Sequence, residues 1–232
     1  MSNEHNNDQP DFSLIIASAV HDMKNSLSML IHSVDNLCDG IPENIKSELN
    51  TSTIKYEAER VNSFLVQLLG LYRLQNHKLS LNIDEYYASD LLDEHKAQYQ
   101  EVFDSRNINL IITTDPSLTW YFDRELILGV INNALNNASR YTNKKIELCA
   151  FEEDEQLVIQ VHDDGDGYPQ SMLDADPADI NKNINFRTGS TSLGLYFAAK
   201  VAGLHQVKER SGRVVLNNGG KLNGGVFSVY LP

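Results

Sequence analysis

The first candidate for chemistry is an imidazole among polar neighbours, in the segment His21-Asp22-Met23-Lys24-Asn25. An exposed histidine presents a ring nitrogen that can act as a nucleophile when its other nitrogen is held. Asp22 could hold that nitrogen or accept its proton, and Asn25, one helical turn further on, could orient a water molecule against a modified His21. A surface histidine beside an aspartate is usually only solvated, so these residues permit nucleophilic chemistry without identifying it.

A run of amide side chains is the second candidate, in Asn132-Asn133-Ala134-Leu135-Asn136-Asn137-Ala138-Ser139-Arg140-Tyr141-Thr142. Asn133 and Asn137 are four residues apart and share one helix face. Their amide oxygens suit a hard Mg²⁺ ion that also holds phosphates and water. Arg140 could contact a phosphate, and Tyr141 could pack on an adenine ring. A polar helix face without any ligand fits the spacing equally well.

An acidic, glycine-containing turn is the third candidate: Asp163-Asp164-Gly165-Asp166-Gly167, directly after a predicted strand. A carboxylate at a strand end can accept a hydrogen bond from the amino group of adenine. Gly165 and Gly167 permit positive φ and a close approach of the backbone to a ligand. An ordinary tight turn is the alternative. A calcium loop fits poorly because the spacing differs and the terminal glutamate is missing.

The fourth candidate is Leu193-Gly194-Leu195 at the start of a predicted helix, preceded by Gly189-Ser190-Thr191-Ser192. Backbone N–H groups at a helix start bind phosphate groups well. Between this helix and the acidic turn, residues 164–191 are rich in Gly, Asp, Asn, Ser and Pro and have little periodicity. A stretch of that length inside a compact domain is usually a functional lid or disordered.

Two apolar seams at heptad-like spacing predict a helical hairpin over residues 11–76, after a disordered tail at 1–10. Asp39-Gly40-Ile41-Pro42 ends the first helix. One hairpin cannot fully bury its stripe, so we expect two to form a four-helix bundle in a homodimer. The seam residues are Ile16, Val20 or Ala19, Met23, Leu27, Leu30, Val34 and Leu37, then Ile54, Ala58, Val61, Leu65, Leu68 and Tyr72.

Residues 77–232 alternate between period-2 and helical patterns, which predicts an α/β sandwich with helices on one face of a mainly antiparallel sheet. The predicted helices cover 89–103, 124–139 and 193–202. The predicted strands cover 79–83, 109–114, 118–122, 145–151, 156–162, 213–216 and 226–231, with the second and third placed around the turn Asp115-Pro116.

Composition excludes several classes of function. The net charge of −13 argues against binding to nucleic acid, because an acidic protein gains nothing from counterion release. No apolar run approaches the roughly 20 residues that span a bilayer, so we expect a cytoplasmic protein without membrane insertion. Cys38 and Cys149 lie in apolar segments without zinc-ligand spacing and indicate buried thiols in a reduced compartment.

Taken together and in this order, the four motifs resemble those of sensor histidine kinases: the H-box around His21, the N-box on the amide helix, the G1 box at Asp163 and the G2 box at Leu193. The resemblance spans residues 11 to 232. It implies an α+β fold, with a helical hairpin that forms a dimeric four-helix bundle (11–76) and then a Bergerat-type, GHKL-type ATP-binding domain (77–232).

The resemblance also implies roles for individual residues. His21 is the autophosphorylated residue, Asp22 the base, and Asn25 a participant in the reverse phosphatase reaction. Asn137 is the primary Mg²⁺ ligand, with Asn133 assisting, and Asp163 reads adenine. The other implied ATP-binding residues are Arg140, Tyr141, Gly165, Gly167, Leu193, Gly194 and Leu195.

The function that follows is ATP- and Mg²⁺-dependent autophosphorylation of His21 and transfer to an aspartate on the receiver domain of a response regulator, with a phosphatase activity as well. Because no sensor segment precedes the hairpin in this sequence, we expect input either from a separate sensor protein or from an upstream region that this sequence lacks. The sequence departs from the family in two places. Ser26 stands where the family commonly has Pro, so we expect a less bent helix. Ser190 and Ser192 replace G2-box glycines, which stands against full ATP binding. The alternatives are an ATP-impaired phosphotransfer or phosphatase scaffold and a kinase acting on serine.

Overall fold

The structure is a computed structural model that describes residues 22–23, 25–34, 36, 51–75, 81–179 and 193–232. The described residues between 22 and 36 are helical, and the helix α1 covers Thr51–Gln75. Both segments lie where the hairpin is predicted. The predicted tail, His21, the hairpin turn and most of the glycine-poor G2 segment lie outside the described residues.

The remaining elements follow α1 in chain order. They are β1 (Ile83–Tyr87), α2 (Ala88–Ser105), β2 (Asn109–Thr114), β3 (Thr119–Asp123), α3 (Arg124–Tyr141), β4 (Lys145–Glu153), β5 (Gln156–Asp163), α4 (Gln170–Leu173), α5 (Leu193–Leu204), β6 (Gln206–Val207), β7 (Arg210–Ser211), β8 (Arg213–Gly219) and β9 (Gly224–Leu231).

The main sheet has five strands in the order β2-β4-β5-β9-β8. The pairs β4–β5, β5–β9 and β8–β9 are antiparallel, whereas β2 and β4 are parallel. β2 and β3 lie on either side of the turn at Asp115-Pro116, as predicted, and Asp115 accepts hydrogen bonds from Ser117 in that turn. The two strands do not pair with each other: β3 pairs with β1 in a separate two-stranded sheet.

One layer of helices covers one face of this sheet and confirms the predicted α+β class with its α/β sandwich. Alternate residues of the strands face α2, α3 and α5, as the two-residue period requires. Burial of one large apolar side chain stabilises the folded state by roughly 1.5–3 kcal/mol. The largest fully buried side chains include Leu91, Leu92, Phe103, Phe122, Ile127, Ile131, Leu135, Ile146, Leu148, Leu157, Ile159 and Leu231.

Helix α1 packs against α5 through an aromatic side chain seated between two glycines. Phe197 of α5 is only 2% exposed. A Cβ on Gly70 of α1 would lie 2.8 Å from Phe197 Cε2, and one on Gly129 of α3 would lie 3.5 Å from Phe197 Cε1. Leu71 also joins the core. Helix α1 therefore contacts the sheet-containing part of the chain at a close glycine–aromatic junction.

Part of each hairpin helix remains exposed in the single chain. Apolar side chains on both segments face solvent, which is the condition that a dimeric bundle would relieve. They are Met23, Met29, Leu30, Val61, Val66 and Leu68.

The three predicted helices are confirmed, and each extends one to two residues beyond one or both predicted ends. The first strand is the main error in position: it covers Ile83–Tyr87 rather than 79–83 because its register is set by pairing with β3. The short elements α4, β6 and β7 carry too little periodicity for prediction from sequence.

Candidate functional site

The amide face of α3 lies against the start of α5. Asn133 is 6% exposed, and Asn137, one turn further along α3, is half-buried. A Cβ on Gly194 would lie 2.1 Å from Asn133 Oδ1, so only glycine lets the backbone of α5 begin here. Leu195 is buried and Leu193 half-buried beside it. The structure thus brings together two motifs that are about 60 residues apart in the sequence.

The last turn of α3 meets the acidic turn that follows β5. A Cβ on Gly165 would lie 2.2 Å from the carbonyl oxygen of Tyr141, another contact that only glycine permits. Arg140 and Tyr141 are both exposed there, with the guanidinium carbon 5.9 Å from the ring centroid. Three of the predicted motifs therefore converge around the carboxyl-terminal half of α3.

Asp163 is held by backbone donors from two directions. Its Oδ1 accepts hydrogen bonds from Gly165 N at 2.8 Å and from Gly225 N at 3.1 Å. The side chain is 6% exposed at the end of β5. A Cβ on Gly224 would lie 2.4 Å from the carbonyl oxygen of Asp163, so the start of β9 presses directly on this strand end. The carboxylate consequently has a fixed orientation.

Asp164 has a structural role that its place in the motif does not suggest. Its Oδ1 accepts bonds from Thr142 Oγ1 at 2.6 Å, Asn143 N at 2.8 Å and Lys144 N at 3.0 Å. Burial opposes ionisation of this carboxyl, but the hydrogen bonds from Thr142, Lys144 and the neighbouring backbone outweigh it and lower the pKa to about 2. The carboxylate therefore ties the α3–β4 connection to the acidic turn.

Tyr168 and Asn218 belong to this site, although sequence reasoning missed both. Tyr168 is packed against the core, and burial, then the charge of Asp163, raises the pKa of its phenol strongly. Asn218, on β8, bonds to the backbone of Tyr168. No local sequence signal marks Asn218, because its contact arises from the pairing of strands distant in the chain.

The described residues fit a nucleotide–Mg²⁺ complex by their donor chemistry. Amide oxygens of Asn137 and Asn133 suit Mg²⁺, which prefers oxygen ligands and keeps several waters. Asn137 is the more accessible of the two. Within the described ranges, no group of three or more His, Cys, Asp or Glu side chains is placed to hold a metal ion.

The remaining predicted site residues lie in the N-terminal part or outside the description. Asp22 and Asn25 are exposed and helical. His21, Ser190 and Ser192 lie outside the described residues. In the described part of the chain, no helix has the length and apolar character needed to cross a membrane.

Comparison with known proteins agrees with this geometry. Residues 122–232 match the family described as histidine kinase-, DNA gyrase B- and HSP90-like ATPase. The sensor protein SrrB of Staphylococcus aureus is 28% identical over 243 residues, an alignment that covers 100% of this chain and 40% of SrrB. The chain thus spans less than half the length of this relative.

Two solved structures share the fold. The Acinetobacter baumannii histidine kinase AdeS superposes with a TM-score of 0.57 at 18% identity, covering 89% of this chain and 95% of AdeS. Full-length ShkA in complex with AMPPNP gives a TM-score of 0.62 at 18% identity, covering 94% of this chain and 45% of ShkA. Residues 122–232 are thus similar to the histidine kinase-, DNA gyrase B- and HSP90-like ATPase family, and the chain shares its fold with these two solved structures.

Proposed function

We propose that the chain is the catalytic core of a two-component histidine kinase, which autophosphorylates on His21 and passes the phosphoryl group to a response-regulator aspartate. The observation that carries this proposal is the convergence of Asn133, Asp163 and Gly194 along the carboxyl-terminal half of α3. These groups supply an adenine acceptor, amide ligands for Mg²⁺ and a helix start suited to phosphate.

Within this proposal each part of the site has a distinct task. Asp163 accepts the hydrogen bond from the adenine amino group, with Gly165 and Gly167 shaping the turn beside it. Asn137 and Asn133 hold Mg²⁺, whose charge stabilises the transferring phosphoryl group. The backbone of Leu193, Gly194 and Leu195 faces the phosphates. Arg140 and Tyr141, both exposed, are the groups available to phosphate and base at the rim.

The phosphoryl step is a displacement at the γ-phosphorus. A ring nitrogen of His21 forms the new P–N bond while the bond to the bridging oxygen of ADP breaks. Asp22 takes the ring proton. Asn25 orients water in the reverse phosphatase reaction. Positioning and charge stabilisation supply most of the rate enhancement.

We further propose that the chain acts as a homodimer and that its phosphotransfer partner is the receiver domain of a response regulator. The exposed apolar residues of the two hairpin helices support the dimer, because a second hairpin would bury them. Cytoplasmic location stays a prediction.

Incubation of the pure full chain with γ-labelled ATP and Mg²⁺ tests the assignment of His21. Wild-type protein should acquire acid-labile label, and His21→Gln should lose it. His32→Gln is the matched control, because His32 is an exposed histidine of the same helical segment. It should label like wild type.

The alternatives give different results in the same assay. Label that persists in His21→Gln would overturn the assignment of the phosphoacceptor. Wild-type protein that takes label only from a phosphorylated regulator would favour the ATP-impaired scaffold. Acid-stable label would favour a serine kinase.

A further inference from the structure

One side chain of β8 bonds to both backbone groups of a residue in the acidic turn. Tyr168 N donates to Asn218 Oδ1 at 2.7 Å, and Asn218 Nδ2 donates to the Tyr168 carbonyl oxygen at 2.8 Å. Only a carboxamide can donate and accept in this way from one planar group. The side chain of Asn218 thus makes the two hydrogen bonds to the backbone of Tyr168 that a neighbouring β-strand would otherwise make.

The turn that Asn218 holds needs such support. Gly167, just before Tyr168, has φ +81, and a Cβ there would lie 2.7 Å from Asn218 Oδ1. Residues 164–169 lie between β5 and α4 and belong to neither a helix nor a strand. The side-chain amide of Asn218 therefore packs directly against Gly167. The left-handed backbone conformation of Gly167 is one that residues with a side chain rarely adopt.

The opposite end of the same turn is held by the same rung of the sheet. Asn218 of β8 and Gly225 of β9 are register partners. Gly225 N donates to Asp163 Oδ1, while the side chain of Asn218 binds Tyr168. One β8–β9 rung thus fixes both Asp163, where the turn begins, and Tyr168, where it ends.

The rung is itself anchored by the turn between β8 and β9. Lys221 Nζ lies 2.7 Å from Glu147 Oε1 on β4. A Cβ on Gly220 would lie 2.7 Å from His162 Nδ1, so the turn packs closely over the residue before Asp163. Movement of Asn218 relative to Asp163 is consequently restricted from both sides.

We propose that Asn218 is a positioning residue of the nucleotide site, which holds the wall from Asp163 to Tyr168 in the conformation that receives the base. This inference rests on the proposed function, because the base is adenine only if Asp163 reads it. Asn218 does not touch the reacting atoms. Asn218 pre-organises the base-binding wall. Nucleotide binding then does not have to offset the conformational entropy that ordering the turn would cost.

The test measures the binding of AMPPNP and GMPPNP with Mg²⁺ to the full chain by calorimetry, well below the unfolding temperature. Asn218→Ala should weaken AMPPNP binding about tenfold and narrow the preference for AMPPNP over GMPPNP. Amide hydrogen exchange of Gly165–Tyr168 should accelerate in the same variant. Asn217→Ala is the matched control: Asn217 is an exposed neighbour whose side chain lies on the opposite face of β8, and it should bind like wild type.

Asn218→Asp provides a second, nearly isosteric variant. It keeps an acceptor for Tyr168 N but sets a carboxylate against the Tyr168 carbonyl, so it should also lose affinity and base preference. If Asn218→Ala does not fold, Asn218→Asp is judged by the same criteria. A folded variant that binds both analogues with wild-type affinities would overturn the inference, as would an equal loss for both analogues. Failure of the wild-type chain to bind AMPPNP would instead overturn the proposed function and, with it, this inference.

Discussion

At the scale of the residue, Gly194 and Gly203 lie in the same helix and have opposite surroundings. A Cβ on Gly194 would lie 2.1 Å from Asn133 Oδ1, whereas a Cβ on Gly203 would have no neighbour within 4 Å. A glycine inside a helix costs about 0.5–1 kcal/mol relative to alanine. At Gly194 this cost is offset because the missing side chain lets α5 pack directly against the amide face of α3.

Gly194→Ala should weaken AMPPNP–Mg²⁺ binding at least tenfold, because the added methyl group must displace Asn133 or the start of α5. Gly203→Ala is the matched control and should raise the free energy of unfolding by about 0.5–1 kcal/mol without changing affinity. Calorimetric titration and urea unfolding of both variants provide the two readouts. Equal affinity in Gly194→Ala and Gly203→Ala would contradict the placement of Gly194 in the site.

Sequence reasoning reached residues whose neighbours in the motif are also their neighbours in space. Asn133 and Asn137 share a helix face that spacing alone predicts, and Gly165 and Gly167 follow a strand end. Asn218 was out of reach because its contact with Tyr168 depends on the register of β8 against β9. Such a register is set by the whole sheet rather than by local sequence.

At the scale of the element, Asp164 joins the connection between α3 and β4 to the turn after β5. Its hydrogen bonds satisfy N–H groups of residues 143–144, which follow the helix end. The pKa of about 2 lies below the ordinary value of 3.8, so the native state favours the ionised form. The stabilisation that the ionised Asp164 carboxylate gives the folded state is fully present above about pH 4 and is lost as the pH falls towards 2.

Asp164→Asn should lower the free energy of unfolding by about 1–2 kcal/mol at pH 7. The effect is no larger because Asp164 is partly exposed and solvent screens its charge. The difference from wild type should shrink between about pH 4 and pH 2, where the wild-type carboxyl becomes protonated. Urea unfolding at a series of pH values measures it. Asp166→Asn, at an exposed position in the same turn, is the control and should change little. A difference that stayed constant down to pH 2 would exclude the charge as its source.

Elements with strong periodicity were predictable, and their partners were less so. The strand at Asn109–Thr114 was predicted at its observed bounds and β4 at its observed start, but the parallel pairing of the two strands was not predicted. Alternation of apolar and polar residues reports which face of a strand is buried and carries no information on strand direction.

At the scale of the whole molecule, the junction of α1 with α5 depends on the volume of one side chain. Phe197 occupies the space that a Cβ at Gly70 would need, and it also contacts Gly129 from the other side. Adding a methyl group to a packed site of this kind typically lowers the free energy of unfolding by about 1–3 kcal/mol. That loss exceeds the gain in helix propensity when alanine replaces glycine.

Gly70→Ala should therefore lower the free energy of unfolding by about 1–2 kcal/mol in the wild-type background. In the Phe197→Ala background the same change should be stabilising by about 0.5–1 kcal/mol, because only the propensity effect remains. Urea unfolding of the four proteins closes the double-mutant cycle. An effect of the same sign and size in both backgrounds would show that Gly70 and Phe197 are not coupled.

The position of β9 has a consequence for how the chain is made. This strand, the last one described, lies in the interior of the main sheet between β5 and β8. Until Gly224–Leu231 has left the ribosome, β5 has an unpaired edge and Asp163 lacks the Gly225 donor. Unpaired edges of that kind are templates for wrong pairing between chains. The nascent protein should thus depend on protection from aggregation until β9 has emerged from the ribosome, and the base-binding wall should form only then.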